Sequence, residues 1–146
     1  MILVGESPDR ERLEILAEYL NEKESISFLG ARKDVPELLN NAQIFAFTSQ
    51  TEGFQNALAE ALAQGCACTS YDCITGSSEL ISDGENGLLV ELDNEAEFFE
   101  KLSLLIQDED LRKRFSLFSH TSVEKYGFKN ILSMYDGLIK SYGAST

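Results

Sequence analysis

Two carboxylates flanking a glycine-opened helix start are the residues of this sequence best placed to do chemistry. The run TSQTEGFQNALAEALAQG, residues 48–65, holds Glu52 and Glu60 with seven residues between them. Gly53 lets the backbone approach a ligand closely, and the pattern that follows predicts a helix from Phe54 or Gln55 to Gln64, with Gly65 as its stop. The first N–H groups of such a helix lack partners within it and sit at the positive end of its dipole, which suits a phosphate. Carboxylates beside a diphosphate would be repelled by it, so Glu52 and Glu60 are suited to accept hydrogen bonds from sugar hydroxyls. They would recognise the two ends of a sugar nucleotide, not its middle. Asn56, Glu60 and Gln64 also share one stripe at i, i+4 and i+8, and on periodicity alone a solvent-facing side is the simpler account of Glu60.

Charge constrains the site further. Residues 41–90 contain Glu52, Glu60, Asp72, Glu79, Asp83 and Glu85 but no Lys or Arg, so a bound diphosphate needs cations from elsewhere. Arg32 and Lys33 are the nearest in sequence order; they are either a solvated loop or neighbours of a nucleotide base, on which a guanidinium can stack. A second turn, DCITGSSELISDGENG at 72–87, offers Gly76 as a flexible point and Ser77 or Ser78 as a helix cap. Cys66, Cys68 and Cys73 have no C-x-x-C pair and no nearby histidine, so they are read as structural thiols and no metal site is expected. His120, the only histidine, sits in a polar stretch without triad company and is expected at the surface. Phe98, Phe99, Phe115 and Phe118 fall at helical spacing and are expected in the core.

The elements that must position these residues follow from the apolar pattern. Short runs at 2–4, 26–29, 44–47, 66–69 and 87–90 do not alternate with polar residues, as expected of parallel strands buried on both faces, with helices between them. Ser7 and Pro8 suit an N-cap and first helical position, followed by an apolar stripe of Leu13, Leu16, Ala17 and Leu20. Asp34 with Glu37, and Asn94 with Glu97, have capping-box spacing, and the acidic 108–110 suits another helix start. From residue 92 onward the chain reads as helical, with Gly127 before a last helix carrying Ile131, Tyr135, Leu138, Ile139 and Tyr142. Ligands of such an open parallel sheet bind outside the carboxyl ends of the strands.

The bulk properties agree. A chain of 146 residues that is 43% apolar is expected to be one domain with a core, and a formal charge of −13 argues against nucleic acid or anionic lipid as the source of affinity. MILVGESPDR has neither a basic n-region nor a long apolar h-region, no window approaches a membrane span, and an odd cysteine count favours a reducing compartment. A cytoplasmic location is expected.

Taken together, these residues resemble glycosyltransferase family 4, whose members have two-domain GT-B architecture with the donor bound mainly to the C-terminal domain. ILVGESPDRERLEILA is similar to that domain's second strand and helix, FLGARKDVPELLNNAQIFAFTSQTEGF to its third and fourth units, and NALAEALAQG and DGENGLLVE continue in register. The resemblance implies a Rossmann-like parallel sheet of about five strands with a helical C-terminus, forming the C-terminal half of a GT-B fold without its first β-α unit. It also implies the paired-glutamate motif, in which Glu52, with Gly53 and Phe54, binds the transferred sugar and Glu60 binds the ribose. Backbone amides at Gln55, Asn56 and Ala57 would meet the diphosphate, and Ala31 and Arg32 the base. Gln55 stands where the family usually has proline after EGF, and Ser77 where the version of YDCITGSSELI common in bacterial surface-polysaccharide and glycan-assembly enzymes often has proline.

The implied function is the sugar-nucleotide-binding part of a retaining transferase that moves a hexose or N-acetylhexosamine from a UDP-sugar to a glycan acceptor, with no cofactor. Its N-terminal acceptor domain, and the family's diphosphate-binding Arg and Lys, would lie outside this sequence. The catalytic set would therefore be incomplete in the chain, while the full enzyme could associate peripherally with a membrane. Two strand arrangements stay open: strands 2–4 and 44–47 pair directly, or the sheet awaits a partner. The alternatives are a non-catalytic module docking a separate acceptor domain through its last helix, and a sugar-nucleotide epimerase of similar fold. A phospho-receiver domain lacks the lysine it needs within 41–90.

Overall fold

The computed structural model describes residues 1–51, 53–73 and 76–143, without the Phe128 side chain. The chain divides into two compact units, 1–35 and 36–146.

In the first unit, strand β1 (Ile2–Leu3) pairs in parallel with β2 (Ser27–Phe28), placing Ile2 opposite Ser27 and Leu3 opposite Phe28. Helix α1 (Arg10–Tyr19) joins them. It begins later than the Ser7–Pro8 pair predicts, because Ser7 closes a turn instead of a helix: its hydroxyl accepts from the Asp9 N–H at 3.1 Å and its carbonyl from the Arg10 N–H at 3.1 Å, leaving Asp9 at the N-cap. The expected stripe is only partly covered within this unit, since Ala17 is buried whereas Leu13, Leu16 and Leu20 are exposed.

The second unit holds a three-stranded parallel sheet in the order β3 (Ile44–Phe47), β4 (Ala67–Tyr71), β5 (Gly87–Val90). Five parallel strands flanked by helices thus form as expected, but in two sheets. Of the two arrangements left open, direct pairing of β1 with β3 is not observed among the described strands.

Strand β4 is buried along its whole length. Ala67, Cys68, Thr69 and Ser70 are small, so flanking helices can approach it closely. Helix α2 (Val35–Asn40) precedes β3, α3 (Asn56–Ala63) links β3 to β4, and α4 (Ser77–Leu80) links β4 to β5. Beyond β5 the chain is helical, as expected: α5 (Glu95–Gln107), α6 (Glu109–Val123), a 3₁₀ turn (Glu124–Tyr126) and α7 (Phe128–Gly143), with Gly127 at the last break. Asn94 caps α5, accepting from the Glu97 N–H at 3.2 Å and donating to the Glu97 carboxylate at 3.1 Å, while Asp108 caps α6 through the Leu111 N–H at 2.8 Å. Asp34 instead gives its carboxylate to Arg32.

Ala67, Leu88, Leu105, Leu111 and Phe115 make one core cluster; Tyr71, Val90 and Phe98 make another, with the Tyr71 and Phe98 rings 4.8 Å apart. The four phenylalanines therefore divide. Phe98 and Phe115 are core, whereas Phe99 and Phe118 are 72% and 54% exposed, because the apolar pattern of α5 and α6 is wider than the faces the sheet covers. No helix among the described residues is long and apolar enough to cross a membrane.

This division predicts a contrast measurable by denaturant titration. Phe115→Ala should cost about 3–5 kcal/mol, the usual range for emptying a buried aromatic site, while Phe118→Ala should cost less than about 1 kcal/mol, as exposed positions do.

Candidate functional site

The carboxyl end of β3 leads through residues 48–55 into α3, the helix start singled out in the sequence. Glu52, expected at the transferred sugar, lies outside the described residues. Gly53 is exposed, and space for a side chain there is open. Phe54 is 42% exposed and Gln55, the N-cap, only 2% exposed. With φ −83° and ψ 65°, Gln55 is the centre of an inverse γ-turn in which the Asn56 N–H donates to the Phe54 carbonyl at 2.9 Å. Of the three amides expected at a diphosphate, that of Asn56 is thus already engaged. Those of Ala57 and the next residue, Leu58, meet no acceptor among the described residues, and the Ala59 N–H closes the first helical bond to the Gln55 carbonyl at 2.9 Å.

Helix α3 is fixed at both ends. Leu58, Ala61 and Leu62 are fully buried, while Asn56, Glu60 and Gln64 form the exposed stripe seen in the sequence. At its C-terminus the Cys66 N–H donates to the Ala61 carbonyl and the Gly65 N–H to the Leu62 carbonyl, both at 3.0 Å, a Schellman closure in which Gly65 has φ +78°. A β-carbon at Gly65 would sit 2.9 Å from the Ser116 hydroxyl, so glycine also permits the close approach of α3 to α6.

Beneath the start of α3 lies a buried polar cluster. The Gln55 Nε2 donates to the Ser77 hydroxyl at 2.8 Å and to the Cys73 sulfur at 2.9 Å. Ser77 donates to the Tyr71 carbonyl at 2.6 Å, and its hydroxyl lies 2.9 Å from that of Ser70. Ser77 is therefore the first residue of α4 with an inward hydroxyl; the cap position expected of it belongs to Gly76, whose φ of +110° explains the glycine. Gln55 Oε1 has no partner among the described residues.

The sequence reading also missed what lies over Phe54. The Tyr126 ring meets it edge-on at 5.3 Å, Tyr126 donates its hydroxyl to the Glu79 carboxylate at 3.3 Å, and Lys125 donates to the Glu79 carbonyl at 3.0 Å. Lys125 also lies 4.9 Å from the Tyr126 ring centre. A cation thus stands in the neighbourhood of a helix start whose own segment, 41–90, has none. The separation of 46 and 47 residues between these partners left no local signal.

At the same sheet edge a hollow of about 430 Å³ is lined by Thr48, Gln50, Tyr71, Asp93, Glu95 and Phe98, among others. Gln50 donates to the Asp93 carboxylate at 2.6 Å. Burial first, and then the Glu95 and Asp93 charges, push the Tyr71 phenol above its ordinary value.

The remaining candidates have plainer settings. In the first unit the Arg32 guanidinium makes a two-point contact with Asp34 at 2.6 and 2.8 Å, and the Ala31 N–H donates to the Glu6 carboxylate at 3.2 Å. The Arg32 pairing holds the Asp34 carboxyl below its usual range. All three cysteines are buried thiols, and burial pushes Cys66 and Cys68 up. His120 is exposed. No cluster of His, Cys, Asp and Glu among the described residues could hold a metal ion.

Parallel strands with a helix N-terminus at their carboxyl edge place the chain among α/β folds, whose ligands bind at that edge. Comparison makes the class specific. Residues 1–119 match the family described as "Glycosyl transferases group 1", and the chain belongs to that family. It is 37% identical over 115 residues to the N-acetylgalactosamine-N,N'-diacetylbacillosaminyl-diphospho-undecaprenol 4-alpha-N-acetylgalactosaminyltransferase of Campylobacter jejuni, covering 79% of this chain and 32% of that protein. It is also 37% identical over 147 residues to the N,N'-diacetylbacillosaminyl-diphospho-undecaprenol alpha-1,3-N-acetylgalactosaminyltransferase of the same organism, covering 96% and 38%. The fold is that of a Staphylococcus aureus TarM variant in complex with fondaparinux, alpha-GlcNAc-glycerol and UDP, with TM-score 0.87 at 24% identity over 94% of this chain and 28% of that one. The chain thus spans about a third of the length of the curated relatives it matches.

Two readings of the site can be checked without ligand. Tyr126→Ala should shift the Phe54 ring resonances by removing a neighbouring ring current while leaving those of Phe115 in place. Alkylation at pH 8 should modify none of the three cysteines in the folded chain and all three in denaturant.

Proposed function

We infer that this chain is the donor-binding part of a retaining glycosyltransferase that transfers a hexose or N-acetylhexosamine from UDP to a growing glycan. The observation that carries the reading is the start of α3, whose Ala57 and Leu58 N–H groups have no acceptor among the described residues at the carboxyl edge of β3. A diphosphate seated there would gain N–H donors and the positive helix end. The same groups would stabilise the negative charge that grows on the leaving diphosphate as the sugar departs. Glu60, exposed on the second turn of α3, accepts the ribose hydroxyls; Glu52 binds hydroxyls of the transferred sugar, with Gly53 giving room and Phe54 a wall; Gln55 and Ala57 contribute backbone N–H groups.

Support for the donor class comes from the relatives. Two C. jejuni relatives at 37% identity are named as N-acetylgalactosaminyltransferases, and TarM and an Anabaena HepE of the same fold are described in complex with UDP. The docking-module and epimerase alternatives have no such support. On this reading the acceptor-binding domain and the further cations for the diphosphate belong to other parts of the whole protein, the isolated chain does not catalyse transfer, and the whole enzyme works in the cytoplasm, in contact with a membrane surface when its acceptor is lipid-linked.

Titrating UDP into the 146-residue chain, without added metal, should move the Ala57 and Leu58 amide resonances at millimolar concentration. A titration that leaves residues 53–60 unmoved overturns the reading. Glu60→Ala should weaken UDP binding about three- to tenfold, the worth of one or two hydrogen bonds. In the whole enzyme, Glu52→Ala should reduce transfer far more than UDP binding; equal loss of both would remove the sugar role assigned to Glu52.

A further inference from the structure

Gln55 is an unusual residue to bury. It is 2% exposed, its Oε1 has no partner among the described residues, and its Nε2 reaches across the unit to Ser77, itself fully buried. That Nε2 donates to the Ser77 hydroxyl at 2.8 Å, while Ser77 donates to the Tyr71 carbonyl at 2.6 Å, a group that can only accept. With the Ser77 proton on that carbonyl, the Ser77 oxygen accepts from Gln55 and Oε1 faces away. The arrangement loses one acceptor in order to make this contact.

The contact joins two places that matter to a ligand at α3. Gln55 is the N-cap and the centre of the γ-turn that sets the direction of the Ala57 and Leu58 N–H groups. Ser77 is anchored to the carboxyl end of the buried strand β4 through Tyr71 and Ser70.

We propose that the Gln55 carboxamide is a positioning residue, hydrogen-bonded to Ser77 so that the N–H groups opening α3 are held at a fixed angle to β4 for the donor diphosphate. This rests on the donor-binding reading for its ligand, but the link itself is a property of the free chain. It distinguishes Gln55 from a residue retained for stability. Replacing it with methionine, of similar length and volume, removes the hydrogen bond yet leaves Ser77 with its partners Tyr71 and Ser70, and it also removes the unpartnered oxygen.

The test compares the 146-residue chain with Gln55→Met, Ser77→Ala and the double variant. Each is measured by amide hydrogen exchange at Ala59, whose N–H bonds the Gln55 carbonyl, by thermal unfolding and by UDP titration. Gln55→Met should speed Ala59 exchange relative to Leu62 and weaken UDP about three- to tenfold, the loss of one positioning hydrogen bond, with the unfolding midpoint unchanged. Adding Gln55→Met to Ser77→Ala should have no further effect on either readout. Unchanged Ala59 exchange in Gln55→Met overturns the link, as does additivity in the double variant. Faster exchange only in proportion to a lowered unfolding midpoint overturns it too, since that marks a merely structural role. Failure of the unsubstituted chain to bind UDP defeats the donor reading alone; faster Ala59 exchange and non-additivity then still support the link, and their absence still removes it.

Discussion

The second unit is organised by the burial of β4. A strand buried over all five residues cannot leave its backbone groups to water, so both edges must be paired, and β3 and β5 satisfy them in register from Ile44–Ala67 to Tyr71–Val90. Its side chains set the rest. Ala67, Cys68, Thr69 and Ser70 are small enough for helices to pack close, and the large side chains that fill the volume, Leu58, Leu62, Leu105 and Phe115, come from those helices. Small residues at the centre and large ones on the helices pin α3, and with it the direction of its N–H groups.

Burial of polar side chains on that strand has a consequence at its carboxyl end. Ser70 and Ser77 satisfy one another and the Tyr71 carbonyl, whereas Thr69 Oγ1 and Gln55 Oε1 have no partner among the described residues, and a buried polar atom left so costs about 1–3 kcal/mol. A core optimised for stability alone would place apolar groups there. The cluster instead lies directly under the turn that presents N–H donors, where the direction of a few atoms matters more than the last increment of folding free energy.

How much of this was legible in the sequence depended on range. Strands at 44–47 and 87–90, the helix ending at Gly65, the Asn94 and Asp108 caps and the helical C-terminus follow from local pattern, and all were found. Ser7 misled because a hydroxyl suited to an N-cap serves equally well in the turn before one. Phe99 and Phe118 misled because helical spacing identifies a face but not how much of it the sheet covers. The family resemblance drew attention to Gln55 and Ser77 as departures from proline, but their contact spans 22 residues and could not be read from either turn alone. Lys125 and Tyr126 lay still farther from the segment they reach.

The acidity of the chain gives those long-range contacts their weight. On the donor-binding reading, a diphosphate approaching a chain of formal charge −13 is repelled at a distance, so the local field at α3 has to reverse the sign of the global one. A helix end contributes about half a positive charge, effective only within its first turn. That short reach makes its aim critical: a few degrees of freedom at Gln55 would spread the N–H groups over a wider arc and weaken the attraction where it is needed. Lys125, held by the Glu79 carbonyl and lying over the Tyr126 ring that meets Phe54, puts a full positive charge from a different element near the same helix start. On that reading the rigid part of the recognition falls to the backbone at the start of α3, which the Gln55 carboxamide ties to Ser77 and through it to the carboxyl end of β4.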